Sequence, residues 1–225
     1  MFDLDGTLLP MDQEVFARTY LRSLGAYVAP LGYDPRLIAK RTWDGMEAMV
    51  SNNGTILNEQ AFWDCFRMHF GDRVLRDRPA FEEYYRTEFK KVKSSCGFEP
   101  AVPKLIRGLR QAGVSVGLAT NPIFPPAATH ERIRWAGLEP EDFLWITTYD
   151  NSHYCKPNPD YFREILEKIG KRPEDCIMVG NDAHEDMAAA ELGIPVFLLT
   201  PCLINTKNRD LSKIPHGDFD DLKNY

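Results

Sequence analysis

The sequence predicts an α/β fold, a parallel sheet with helices on both faces, interrupted near its N-terminus by an all-α insertion. Three observations predict it. From about residue 100 onward, apolar runs of strand length alternate with helical patterns, the signature of βα units. Residues 12 to about 96 instead read as helical throughout, with no convincing alternating strand. At 225 residues the chain also exceeds the usual single domain without reaching two full ones, which suits one core carrying an insertion. The expected division is therefore a core of residues 1–11 and 97–225 and a helical insertion of residues 12–96.

Taken in order, the chain opens on Phe2-Asp3-Leu4-Asp5-Gly6-Thr7-Leu8, the end of a strand running into a turn. In the insertion, Asp12 can cap a helix that buries Phe16, Tyr20, Leu21 and Leu24. Asp34-Pro35 opens a second helix, Asn58 a third, and Pro79 a fourth carrying Phe81, Tyr84 or Tyr85, and Phe89. With Trp43, Phe62, Trp63 and Phe66, these aromatics have the spacing of a bundle interior. Trp43, Lys40 and Arg41 are alternatively candidates to face a ligand. Four runs then read as buried strands: Val114 to Ala119, Phe143 to Thr147, Cys176 to Val179 and Pro195 to Leu199. Helix starts such as Pro157 to Asp160, and glycine stops at Gly170 and Gly193, separate them.

Composition narrows the function classes. Hydrophobic residues make up 44% and charged residues 27%, the balance of an ordinary globular protein. No apolar run approaches the roughly 18 residues of a membrane span. A formal charge of -6, with both signs interspersed, argues against a nucleic-acid surface and for a small-molecule partner. Cys65, Cys96, Cys155, Cys176 and Cys202 are odd in number and lack Cys-x-x-Cys spacing, so reduced thiols are expected. Neither a basic-apolar leader nor a cleavage site is visible at the N-terminus, and the expected location is the cytoplasm.

Four places carry candidate chemistry. Asp3 and Asp5, two apart in an extended segment, point to one side, and such paired carboxylates suit a cation between them while Gly6 turns the backbone away. A plain Asp-x-Asp-Gly surface turn is the competing reading. Thr120 and Asn121 follow a strand and precede Pro122, where a hydroxyl and free amides can hold phosphate oxygens at the sheet edge that binds ligands in open α/β folds; otherwise they form a simple turn. Lys156 lies between a strand and a helix start, either neutralising phosphate or solvated on the surface. Finally, Asp182 and Asp186 in Gly180-Asn181-Asp182-Ala183-His184-Glu185-Asp186 share one face of a helix start and either hold a cation, for which oxygen ligands favour magnesium, or cap the helix.

In order and spacing these four places resemble the motifs of the haloacid dehalogenase superfamily of phosphatases and phosphotransferases. Asp3-Leu4-Asp5-Gly6-Thr7 resembles its first motif, Thr120 its second, Lys156 its third, and Gly180-Asn181-Asp182 with Asp186 its fourth. The insertion is similar in position and character to the helical cap of the phosphoglycolate phosphatase and phosphoglucomutase branch. The resemblance implies a Rossmann-like core and a magnesium-dependent phosphatase acting on a small phosphorylated metabolite through an aspartyl-phosphate. Asp3 would then be the nucleophile and Asp5 the acid and base. Asp3, the Asp5 carbonyl and Asp182 would bind Mg2+ with support from Asp186, while Thr120, Asn121 and Lys156 would bind phosphate. A phosphomutase using the same intermediate, or a non-catalytic phosphate-binding or regulatory protein, are the alternatives. Asp5 disfavours dehalogenation, whose enzymes lack the second acid. Substrate identity and oligomeric state leave no mark in the sequence. Because only Met1 and Phe2 precede Asp3, where a strand of about 5 or 6 residues is usual, several upstream apolar residues are expected to be missing from the chain as given.

Overall fold

The computed structural model describes residues 1–225. Five short strands run parallel: β1 (Gly117–Leu118), β2 (Trp145–Ile146), β3 (Met178–Gly180), β4 (Val196–Leu199) and β5 (His216–Gly217). Phe2 bridges Leu118 on one side and Val179 on the other, so the opening segment joins the two halves in the order β2-β1-Phe2-β3-β4-β5. The Phe2 N–H donates to the Gly117 carbonyl at 2.9 Å, the Ala119 N–H to the Phe2 carbonyl at 2.7 Å, and the Asp3 N–H to the Val179 carbonyl at 2.9 Å. Bonded along both edges, this segment delivers Asp3 to the C-terminal end of the sheet.

The four expected strands are present but shorter than their apolar runs. Val114, for example, is 48% exposed and lies outside β1. β5 carries no apolar run and went unanticipated, since His216 and Gly217 join only as an edge pair against Leu198 and Leu199.

Eight α-helices complete the chain: α1 (Gln13–Val28), α2 (Pro35–Val50), α3 (Asn58–Phe70), α4 (Arg73–Arg86), α5 (Ala101–Gln111), α6 (Pro126–Trp135), α7 (Pro159–Ile169) and α8 (Phe219–Asn224). Between Met11 and Cys96 lie α1 to α4 and the 3-10 helices Ala29–Leu31 and Glu88–Ser95, with no strand. Met11 pairs antiparallel with Cys96, and the Gly97 N–H donates to the Pro10 carbonyl at 2.7 Å, closing the base of this excursion. Asp12 caps α1, its Oδ1 accepting from the amides of Glu14 at 2.9 Å and Val15 at 3.0 Å. Asp34 caps α2 in the same way, with Pro35 at the first helical position.

One expected helix start is corrected. Pro79 lies inside α4, which begins at Arg73; an interior proline removes one backbone donor without ending this helix. Asn58 opens α3 as expected, with Leu57 at the cap position. The Asn58 side chain is fully buried and donates from Nδ2 towards the Tyr154 carbonyl and the Cys155 Sγ, each at 3.3 Å. Its backbone N–H donates to the Ser152 carbonyl at 3.0 Å. Asn58 is thus spent on fastening α3 to the segment that precedes Lys156.

One hydrophobic cluster runs from Phe2, Leu118 and Val179 through Phe124 to Phe16, Tyr20 and Phe89, and on to Phe62, Phe66 and Phe81. The helical segment and the sheet therefore share a core. A second cluster packs Tyr161, Phe162 and Ile165 of α7 against Met178, Val196 and Leu198. Most insertion aromatics are interior as expected, but Trp43 is 53% exposed and stands on a cavity wall. No helix is long and apolar enough to cross a membrane.

Candidate active site

At the C-terminal edge of the strands, Asp3, Asp5, Thr120, Asn121, Lys156, Asp182 and Asp186 all line one cavity of about 1210 Å³. Lys156 joins the first and last of these motifs. Its Nζ donates to Asp3 Oδ1 at 2.8 Å and to Asp186 Oδ1 at 2.7 Å. At 1% exposure it is no surface lysine. Burial works against its charge, but Asp186 and Asp3 hold the ammonium well above its ordinary range. Burial pushes the Asp3 carboxyl up to about 7 against the pull of Lys156, with Asp186 and Asp5 adding to the rise. Asp3 is therefore buried and is no part of a surface turn.

Gly6 and Gly180 make this packing possible. Gly6 has φ +85, and a side chain there would collide with Asn181; one at Gly180 would collide with the Asp186 carboxylate. Both loops consequently approach within reach of one another. Thr7 sits between them, its Oγ1 2.9 Å from Asn181 Oδ1 and 3.2 Å from Asp3 Oδ2.

The turn after β3 divides its acids. Asp186 Oδ2 accepts from the amides of Asn181 at 3.0 Å and Asp182 at 2.9 Å, so with Lys156 both its oxygens are engaged. The turn continues as the 3-10 helix Asp186–Leu192 rather than the expected α-helix. Asp182 Oδ1 accepts from the amides of His184 at 2.7 Å and Glu185 at 2.9 Å. Capping and cation binding are compatible here, because capping uses one oxygen of Asp182 and leaves the other.

The Thr120 carbonyl is held by Thr147 Oγ1 at 2.6 Å and by the Tyr161 hydroxyl at 2.8 Å, while its own side chain lines the cavity. Asn121 Oδ1 accepts from the Lys156 amide at 3.2 Å and its Nδ2 donates to Glu185 Oε2 at 3.1 Å. The Asn121 side chain is thereby fixed within the wall.

Asp5 has a partner that the sequence does not announce. Arg132 of α6, itself fully buried, donates from a terminal nitrogen to Asp5 Oδ2, and Asp5 Oδ1 is buried without a partner. The Arg132 guanidinium lies 4.3 Å from the centre of the Phe124 ring. Sequence reasoning missed Arg132, Thr7, Asn181 and Glu185. The last three stand inside the recognised motifs, but nothing around Arg132 distinguishes it from any helical arginine. Burial raises Glu185 to about 7, opposed by Lys156.

No three His, Cys, Asp or Glu side chains converge closely enough to bind a metal by themselves. A hard cation that keeps much of its water needs only one or two carboxylates. Asp3 and the uncapped oxygen of Asp182 answer that description, and the partnerless Asp5 Oδ1 marks polar capacity left unused beside them.

A profile of haloacid dehalogenase-like hydrolases matches residues 1–193. The chain belongs to this hydrolase family. A bifunctional riboflavin kinase/FMN phosphatase of Arabidopsis thaliana is 28% identical over 198 residues, 87% of this chain and 46% of that protein, so the chain spans about half the length of this relative. A phosphoglycolate phosphatase of Vibrio vulnificus (strain YJ016) is 26% identical over 88% of this chain and 82% of its own length. Among solved structures, CbbY of Rhodobacter sphaeroides in complex with xylulose-1,5-bisphosphate superposes with a TM-score of 0.59 at 20% identity, covering 96% of this chain and 91% of that one. That likeness concerns the fold, and it extends over nearly the whole length of this hydrolase.

Proposed function

We propose that this hydrolase is a magnesium-dependent phosphatase that cleaves a small phosphorylated molecule through a phosphorylated Asp3, with residues 12–96 acting as a cap over the site. The observation that carries the reading is Lys156 Nζ bonded at once to Asp3 and Asp186. It fixes the Asp3 carboxylate at the strand end and supplies positive charge where a phosphoryl group would lie. The relatives described above, an FMN phosphatase and a phosphoglycolate phosphatase, support the same reaction class.

Asp3, the Asp5 carbonyl and Asp182 would hold magnesium, with Asp186 orienting them from behind. When bound, the ion supplies positive charge that keeps Asp3 ionised and offsets the negative charge of the phosphate. An Asp3 oxygen attacks phosphorus in line, and the bond to the ester oxygen breaks. Asp5 gives a proton to the departing alkoxide. A water molecule then attacks the phosphorylated Asp3, passes its proton to Asp5, and restores the carboxylate. The Thr120 hydroxyl, the Asn121 amide and Lys156 stabilise the charge gathered on the transferring group.

Asp3→Asn is expected to lower phosphate release from 4-nitrophenyl phosphate by about three orders of magnitude or more while leaving the circular dichroism spectrum intact. Activity near that of the wild type would remove Asp3 from the chemistry. Chelation should stop turnover and added magnesium restore it.

A further inference from the structure

The cavity is larger than the proposed reaction alone requires. Pockets for drug-sized ligands occupy about 300–1,000 Å³, and this one measures about 1210 Å³. A phosphorylated two-carbon acid or hexose held at Asp3 would leave most of it empty.

The helical wall of the cavity, which also carries Glu14 and Glu47, has a definite chemistry. α2 carries two apolar faces. Ile38 and Met49 point into the core and Met46 is shared between core and cavity, whereas Trp43 and Val50 line the cavity from the exposed side. Trp43 and Val50 are 53% and 44% exposed, so both present apolar surface to whatever occupies the cavity. On α1, Arg18 and Arg22, four residues apart, line the same space, and neither has an ion-pair partner, unlike Arg41 and Arg78 elsewhere in the helical segment. An indole and two guanidinium groups lining one cavity suit a flat ring with polar or anionic edges, because both groups stack on π-systems and guanidinium also bonds oxygen acceptors.

We propose that the leaving group is an alcohol that carries a planar aromatic ring with a polar or anionic periphery, and that Trp43 and Val50, with the mostly buried Met46, form the surface that selects the ring. This rests on the phosphatase reading and names its substrate class. The phosphate would sit at Asp3 and Lys156 while the ring lies against α2, continuous with the catalytic end of the same cavity. Trp43 is a specificity residue and takes no part in bond making.

The test compares FMN and pyridoxal 5′-phosphate with glucose 6-phosphate and 2-phosphoglycolate in the presence of magnesium. The esters that carry an aromatic ring are expected to give kcat/KM values about tenfold or more above those without one. Trp43→Ala should lower the ratio of FMN to 2-phosphoglycolate about tenfold, mainly through KM for FMN, and Trp43→Phe should retain most of it. A preference for the esters without an aromatic ring, or a ratio unmoved by Trp43→Ala, overturns the proposal. If no ester is hydrolysed, the phosphatase reading fails separately, and calorimetric titration of the Asp3→Asn protein with FMN decides the surface. Binding weakened about tenfold by Trp43→Ala upholds it; no binding, or binding indifferent to Trp43, overturns it.

Discussion

Lys156 is the residue on which the buried charges depend. Replacing it by methionine keeps its bulk but leaves Asp3 and Asp186 facing each other without a cation. The expected cost in metal-free protein is about 3–5 kcal/mol, read from urea unfolding, together with loss of turnover. The same electrostatics predict a pH dependence. Asp3 titrates near 7 in the folded chain and near 3.9 when unfolded, so the fold binds the proton more tightly. This group's contribution to stability is then full below about pH 4 and is lost as pH rises through about 7. Magnesium requires the ionised form and competes with that proton. The rise in Tm on adding magnesium should therefore grow from pH 5.5 to 7.5, and a pH-independent rise would contradict the assignment. Much of this was legible in the sequence, because loops at strand ends have little freedom over where Asp3, Thr120, Lys156 and Asp182 go. Arg132 was not, since its significance comes wholly from α6 packing beneath the Asp5 loop, a tertiary fact with no local mark.

Among the elements, the caps were readable and the internal polar anchors were not. Asp12 and Asp34 act on amides two and three residues ahead, so their role is local and survives in the sequence. Asp12→Ala should cost about 1 kcal/mol, measured as a lowered urea midpoint with an unchanged slope. Asn58 advertised a helix start in the same residue language, yet its side chain answers to Tyr154 and Cys155, nearly a hundred positions away. Asn58→Ala removes the donor and leaves buried acceptors unsatisfied, with an expected loss of about 1–3 kcal/mol. Amide exchange should quicken at Asn58 and Glu59, whose N–H groups donate to Ser152 and Tyr149. Pro79 was misread because proline favours first turns, a preference that says nothing of how far a helix extends upstream. β5 is a pair of residues whose only strand signal is the neighbour they join.

For the whole molecule, the shared core makes the helical segment and the sheet one thermodynamic unit. Phe124 lies within 6.1 Å of Phe16, 5.3 Å of Tyr20 and 6.2 Å of Phe89, ring centre to ring centre, at the meeting of the two. Phe124→Ala should cost about 3–5 kcal/mol. Far- and near-ultraviolet circular dichroism should still report a single coincident transition in the wild type; two separated transitions would mean that the insertion melts on its own. The fastening of α3 also carries an optical opportunity. Cys155 is sealed beneath Asn58, and Cys65 is likewise buried, whereas Cys96, Cys176 and Cys202 are only partly covered. A maleimide dye should therefore modify Cys155 later than these three, and that delay is a clock that counts how often α3 parts from residues 152–155.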